Sequence, residues 1–159
     1  MPAIISSLWF DGQAEQAAAQ YVEIFPASEI TEVTRYGPGE HGSEGSVMTV
    51  GFHLDGQRFL GINGGPQFTF AEAVSFRIRC ADQEEVDHYW SRLGDGGEEG
   101  PCGWLKDRFG LSWQVVPTAL VELIGDPDRG RAHRATQAML EMREIDIDAL
   151  RRAADRAPA

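Results

Sequence analysis

The chain has 159 residues, 42% of them hydrophobic, with 25 acidic against 14 basic side chains and a formal net charge of −11. That length suits one domain with a proper core, or two half-domains sharing one. The acidic balance argues against nucleic acid or an anionic membrane as partner, since both reward basic surface. No apolar run approaches the ~20 residues that cross a bilayer. The N-terminus MPAIISSLWFDG carries neither a basic leader nor a long apolar stretch, so no signal peptide is expected. Cys80 and Cys102 are too few for a disulfide framework and lack metal-ligand spacing, which points to the reducing cytoplasm.

IISSLWF (4–10) reads as a strand that ends at the Asp11-Gly12 turn. QAEQAAAQYVEIF (13–25) follows as a helix with Ala17, Tyr21, Ile24 and Phe25 on one stripe, and Pro26 stops it. SEITEVTRYG (28–37) alternates as a strand, and PGEHGSEGS (38–46) has the composition of a mobile loop. SVMTVGFHLDG (46–56) sets Met48, Val50, Phe52 and Leu54 on one face; Asp55-Gly56 is a hairpin signal and RFLGIN (58–63) the returning strand. The order is β-α-β-β-β.

The same order then repeats. AVSFRIRC (73–80) alternates as a strand, with Val74, Phe76, Ile78 and Cys80 on one face. DQEEVDHYWSRLGDGG (82–97) is a helix with Asp82 as N-cap, Glu85 at the capping-box position and a stripe of Val86, Tyr89, Trp90 and Leu93. A short strand near 97–100 is inferred by symmetry. EEGPCGWLKD and GLSWQVV are two more strands, turning at Lys106-Asp107-Arg108-Phe109-Gly110 with Gly110 at positive φ. From Thr118 the pattern is helical: TALVELIGD, then DPDRGRAHRATQAMLEM from an Asp-Pro cap, then IDIDALRRAADR.

The segments LWFDGQAEQAAAQY (8–21), NGGPQFTFAEAVSF (63–76), DQEEVDHYW (82–90), GPCGWLKDRFGLSWQVVP (100–117) and MLEMREIDIDAL (139–150) resemble the PhnB-like branch of the vicinal oxygen chelate superfamily. That superfamily includes glyoxalases, extradiol dioxygenases and bleomycin-binding proteins. The resemblance implies an α+β fold of paired βαβββ modules, about 1–66 and 72–117, forming one curved and mostly antiparallel sheet over residues 1–117. Residues 118–159 are then a C-terminal helical extension. Members of the branch often carry the label demethylubiquinone methyltransferase. A methyltransferase using S-adenosylmethionine normally needs a parallel sheet with a glycine-rich first turn. The turn here is Asp11-Gly12-Gln13, so no cofactor is expected.

Metalloenzymes of the superfamily place ligands on the concave face, near the first, fourth, fifth and eighth strands. The matching positions are Ile5, Leu60 or Gly61, Ser75 and Gln114. Only Gln114 is a plausible donor, and one neutral amide does not hold a divalent ion, so no metal is expected. His53 alternates with Thr49 and Gly51 toward the same face; it reads as a satisfied or exposed histidine ahead of a ligand. Alternation adds Ser7 and Trp9, Val47, Arg77 and Arg79, and Ser112 and Val116 to that face. The opposite set is Leu8 and Phe10, Met48, Val50 and Phe52, Val74, Phe76 and Ile78, and Leu111, Trp113 and Val115; it suits packing on helices.

Such a face suits a small organic ligand bearing a carboxylate or phosphate, because arginine forks onto these groups. Trp9, His53, Ser75, Arg77 and Gln114 are the ligand-binding candidates, with Trp9 as a stacking surface. The competing reading of Arg77 and Arg79 is pairing with Asp or Glu on a neighbouring strand, which is common in antiparallel sheets. Trp104 reads as packing or as a pocket edge, and Cys102, without an evident base, as part of the scaffold. The expected protein is a metal-independent binding protein, and the alternatives are an enzyme of the superfamily or a purely structural dimer module. The apolar run Met139, Leu140, Met142, Ile145, Ile147 and Leu150 argues for a homodimer.

Overall fold

The computed structural model describes residues 2–158, and the chain divides into two compact units, Met1–Phe70 and Ala71–Ala159. The first contains β1 (Ser6–Phe10), α1 (Ala14–Ile24), β2 (Glu29–Arg35), β3 (Val47–Leu54) and β4 (Gln57–Asn63). Its sheet runs β1-β4-β3-β2, with β1 and β4 parallel and the other pairs antiparallel. The second contains β5 (Phe76–Cys80), α2 (Gln83–Gly94), β6 (Glu98–Glu99), β7 (Trp104–Lys106) and β8 (Ser112–Pro117) in the equivalent order β5-β8-β7-β6. Three helices follow: α3 (Thr118–Ile124), α4 (Arg129–Leu140) and α5 (Ile147–Asp155). The fold is α+β with the β-α-β-β-β order repeated as expected, and each copy forms its own mixed four-stranded sheet where the resemblance implied one curved sheet.

In the first unit the apolar parity buries Leu8, Phe10, Val50, Phe52 and Leu54, along with Ala14, Ala17, Tyr21 and Ile24 of α1. Gln13 offers α1 no side-chain cap; Asn63 Oδ1, from the end of β4, accepts the Ala14 N–H at 2.9 Å instead. A long-range contact thus does what the local sequence does not. The 36–46 segment closes on itself and on β4, through Gly45 N–H to the Tyr36 carbonyl and the Tyr36 hydroxyl to the Asn63 carbonyl.

In the second unit Asp82 caps α2, accepting the Glu85 N–H at 3.0 Å, and Glu85 reaches back to the Ala81 N–H at 2.7 Å. Val86, Tyr89, Trp90 and Leu93 are buried as the stripe requires. The 107–111 turn has Gly110 at φ +86°, as expected, but a buried carboxylate holds it. Asp107 accepts the backbone N–H groups of Phe109 and Leu111 and the Trp113 indole N–H at 2.9–3.1 Å.

Several expectations are corrected. Strand β5 begins only at Phe76; Val74 sits in a turn closed onto the Ala71 carbonyl and is 65% exposed, so it is no core residue. The cap of α4 is Asp128, not the Asp126-Pro127 pair; Asp128 Oδ1 accepts from Gly130 and Arg131. Val116 leaves the open face, because the C-terminal helices cover it with Leu120, Ile145 and Leu150. Most of the C-terminal apolar run is likewise covered within the unit. Ile145, Ile147 and Leu150 are buried, Met139 and Met142 pack against that cluster, and Leu140 alone of the run stands largely exposed. That run therefore says nothing for a dimer.

Candidate functional site

The strand register of the second unit sets Arg77, Gln114 and Trp104 in one row across β5, β8 and β7, and Ser112, Lys106 and Glu98 in another across β8, β7 and β6. Side chains alternate across a sheet, so both rows share one face. On that face the Arg77 guanidinium donates twice to Gln114 Oε1, at 3.0 and 3.3 Å, and Gln114 Nε2 donates to Ser75 Oγ at 2.7 Å. Three of the five candidates expected to bind ligand therefore form one hydrogen-bonded chain. The expected carboxylate partners are not there. Strand β5 neighbours only β8, where Arg77 faces Gln114 and Arg79 faces Val116. Among the described residues no carboxylate lies within ion-pair distance of either arginine. A guanidinium carries five N–H donors, so Arg77 keeps donors free while Gln114 steadies it.

Beside this chain lies a cavity of about 490 Å³, lined by Glu72, Glu98, Glu99, Trp104, Lys106 and Ser112 among others. Lys106 Nζ meets Glu72 at 2.5 Å, and that contact lowers the Glu72 carboxyl and raises the lysine; Glu98 adds a smaller attraction. Glu99 accepts the Trp90 indole N–H at 3.1 Å. Ser112 is 1% exposed, and among the described residues its hydroxyl has no hydrogen-bond partner. Buried hydroxyls are normally paired, so this one asks for an explanation.

Cys102 also lines the cavity, on a turn with φ +58°. The turn is anchored by its own N–H to the Met142 carbonyl and by Gly103 N–H to the Arg143 carbonyl, at 2.8 and 2.7 Å. Gly103 is required there: φ is +81°, and a Cβ would stand 2.7 Å from the Val115 carbonyl oxygen. Cys102 is thus placed by the scaffold. Cys80, in contrast, is fully buried, and desolvation pushes its thiol up to about 12.

The first unit presents a plainer face. Trp9, Ile62, Thr49 and Thr34 form one row and Ser7, Leu60, Gly51 and Glu32 the next, while His53 lies opposite Arg58 and Glu29. Leu60, rather than Gly61, is on the open side; a Cβ on Gly61 would meet Ala14 of α1 at 3.1 Å. Trp9 is committed to packing. Its indole N–H donates to the Gly65 carbonyl at 2.9 Å, its ring presses on Gly64, and Phe68 meets it edge to face. Thr34 and Thr49 hydroxyls pair with each other.

Residues 2–116 match the family model described as 3-demethylubiquinone-9 3-methyltransferase. The PhnB protein of Bacillus cereus, which carries the same description, is 33% identical, with a TM-score of 0.66 over 74% of this chain and 100% of that one. The chain belongs to the PhnB-like family of the vicinal oxygen chelate superfamily.

Protein PA1353 of Pseudomonas aeruginosa shares the fold at 16% identity, with a TM-score of 0.62 over 74% of the PhnB-like chain and 98% of its own. A glyoxylase/bleomycin resistance protein/dioxygenase domain from Frankia is a looser match, 15% identical with a TM-score of 0.44, covering 74% of this chain and 91% of that domain. No curated protein sequence matches significantly.

The groups that the family and superfamily imply can be tested against the residues. The matched metal positions offer an isoleucine, a leucine, a serine and Gln114, and the Gln114 oxygen that would meet an ion already takes two N–H donors from a cationic guanidinium. Among the described residues no group of three or more His, Cys, Asp or Glu is placed to hold a metal ion. That donor set does not fit a divalent cation. Nor do the residues fit S-adenosylmethionine. The β1–α1 turn has Gly12 alone, and both sheets are mixed, without the parallel core in which such a turn cradles a nucleoside.

Sequence reasoning put Ser112 on this face of the PhnB-like fold but missed Lys106, Glu72 and Glu98. The parity of Ser112 was visible, but β6 and β7 are too short for their alternation to be read. Only the pairing of β7 with β8, and of β6 with β7, shows where Lys106 and Glu98 point. Among the described residues no helix is long and apolar enough to cross a membrane.

Proposed function

We propose that this protein is a small-molecule binding protein that works without metal or S-adenosylmethionine and takes an organic anion on the open face of its second unit. The Ser75–Gln114–Arg77 chain carries the reading. It holds a guanidinium in place without neutralising it, which is what a carboxylate or phosphate site needs. Trp104, in the same row as Gln114, supplies the aromatic wall. Trp9 is spent on its own glycine turn, and His53 shares only the first unit's face. A homodimer belongs to the same reading, now on other grounds: Phe68 and Val74 are 64% and 65% exposed, and edge strand β2 shows Ile30 and Val33 to solvent. Two free cysteines suit a cytoplasmic protein, and the net charge of −11 suits one with no nucleic-acid or anionic-membrane partner.

The test is a thermal-shift screen of small carboxylates and phosphates, followed by Arg77→Ala and Gln114→Ala. Each substitution should weaken the best anion tenfold to a hundredfold, the worth of a charge-assisted contact of ~1.5–3 kcal/mol. Folded variants that bind it as tightly as the parent contradict the reading. So does about one transition-metal ion per chain in elemental analysis of the purified protein.

A further inference from the structure

The cavity beside the anion-binding chain has the opposite charge. Among the described residues that line it, Glu72, Glu98 and Glu99 stand against a single cation, Lys106, which Glu72 already engages at 2.5 Å. Glu98 faces Lys106 across the β6–β7 pair, while Glu99 alternates to the other side, opposite Leu105, where it accepts the Trp90 indole N–H; Glu98 is therefore the carboxylate left beside the Lys106–Glu72 pair on the Ser112 side. Trp104, half-buried, forms an aromatic wall. The Ser112 hydroxyl, 1% exposed and without a partner, is the polar atom among these walls. An orphaned hydroxyl beneath a carboxylate rim and beside an indole matches one kind of group: an N–H donor with positive charge, carried on an apolar or aromatic body.

We infer that this cavity receives the ammonium end of a small organic amine, with Ser112 Oγ accepting one N–H, Glu98 balancing the charge, and Trp104 covering the apolar part. The inference rests on the reading above in one respect, that this face of the second unit receives small molecules. It adds that the ligand class is amine-bearing, and zwitterionic where one molecule also reaches Arg77.

Phenethylamine and phenylacetate are matched probes of the two chemistries, titrated by calorimetry into the full-length protein at neutral pH and low salt. The inference expects saturable phenethylamine binding, weakened about tenfold both by Ser112→Ala and by Glu98→Gln, as loss of a contact to a charged group implies. Glu122→Gln, which removes the same charge from an exposed helix position, should leave binding unchanged. Ser112→Ala has a second readout: deleting an unpaired buried hydroxyl should leave the melting temperature of the free protein unchanged or raised. Loss of binding without loss of stability separates a ligand contact from a structural one. Phenethylamine that does not saturate, or that binds both site variants like the parent, overturns the inference. If phenylacetate binds through Arg77 while phenethylamine does not, the inference falls and the anion reading stands. If neither probe binds, both fall.

Discussion

The two units repeat one chain order and one strand order, yet their open sheet faces differ in kind. On the first, the polar groups of the Trp9 row are satisfied close by, Trp9 by Gly65 and Thr34 by Thr49, and the charged positions Glu29, Glu32 and Arg58 lie in the other rows. On the second, charge is abundant and incompletely matched, with Arg77 bound to an amide instead of a carboxylate and a buried Ser112 hydroxyl unpaired. A duplicated scaffold leaves one copy free to be only scaffold. Unsatisfied polarity is costly, so where it persists it marks a site.

The sharpest way to break this comparison is at the two hairpins, because each carries an aspartate in a different role. Asp107 is buried and accepts three N–H donors, so Asp107→Ala strands them and should cost roughly 3–5 kcal/mol in denaturant unfolding. Asp55 is exposed and serves by backbone geometry, with φ +45° ahead of Gly56 at φ +82°. Asp55→Ala should cost only ~1 kcal/mol, the penalty of a left-handed alanine. Equal costs would mean the turns are held alike.

Leu150→Ala tests the covering of Val116 by the C-terminal helices. Leu150 is fully buried in the cluster with Val116, Leu120 and Ile145, and its truncation should cost ~2–5 kcal/mol. A cost below about 1 kcal/mol, the range of an exposed site, contradicts that packing.

A smaller effect depends on pH. Burial, then a hydrogen bond to Asp87 and the charges of Asp87, Glu99 and Asp146, push the Glu144 carboxyl from its usual 4.5 to about 7. The unfolded chain ionises this group first, so its contribution is complete below about pH 4.5, falls as pH climbs to about 7, and is flat above. Glu144→Gln should flatten that part of the melting profile. An unchanged slope contradicts the half-buried, acid-crowded placement.

Much of the fold was legible because alternation and helical stripes report burial directly: Val50 and Phe52, or Val86 and Leu93, fall where their periods put them. Sequence periodicity failed where the solution is non-local. Asn63 caps a helix 49 residues away in sequence, and Val116 is removed from its face by helices that follow it. Of the site, Ser75, Arg77 and Gln114 were readable by parity on long strands. Glu98 and Lys106 were not, since two- and three-residue strands show no period of their own. The partner of Arg77 was misjudged because β5 pairs in parallel with β8, so the cross-strand carboxylate rule had no neighbour to act on.

Ligands are expected to meet the second unit and not the first, and the indole N–H signals of Trp104 and Trp9 report the two faces separately. In a proton–nitrogen correlation spectrum titrated with phenylacetate, the account predicts saturable shifts of the Trp104 indole, the Gln114 side-chain amide and the Arg77 Nε–H, with the Trp9 indole and Thr49 amide unmoved. Saturable shifts at Trp9 and Thr49, with Trp104 and Gln114 still, would contradict it.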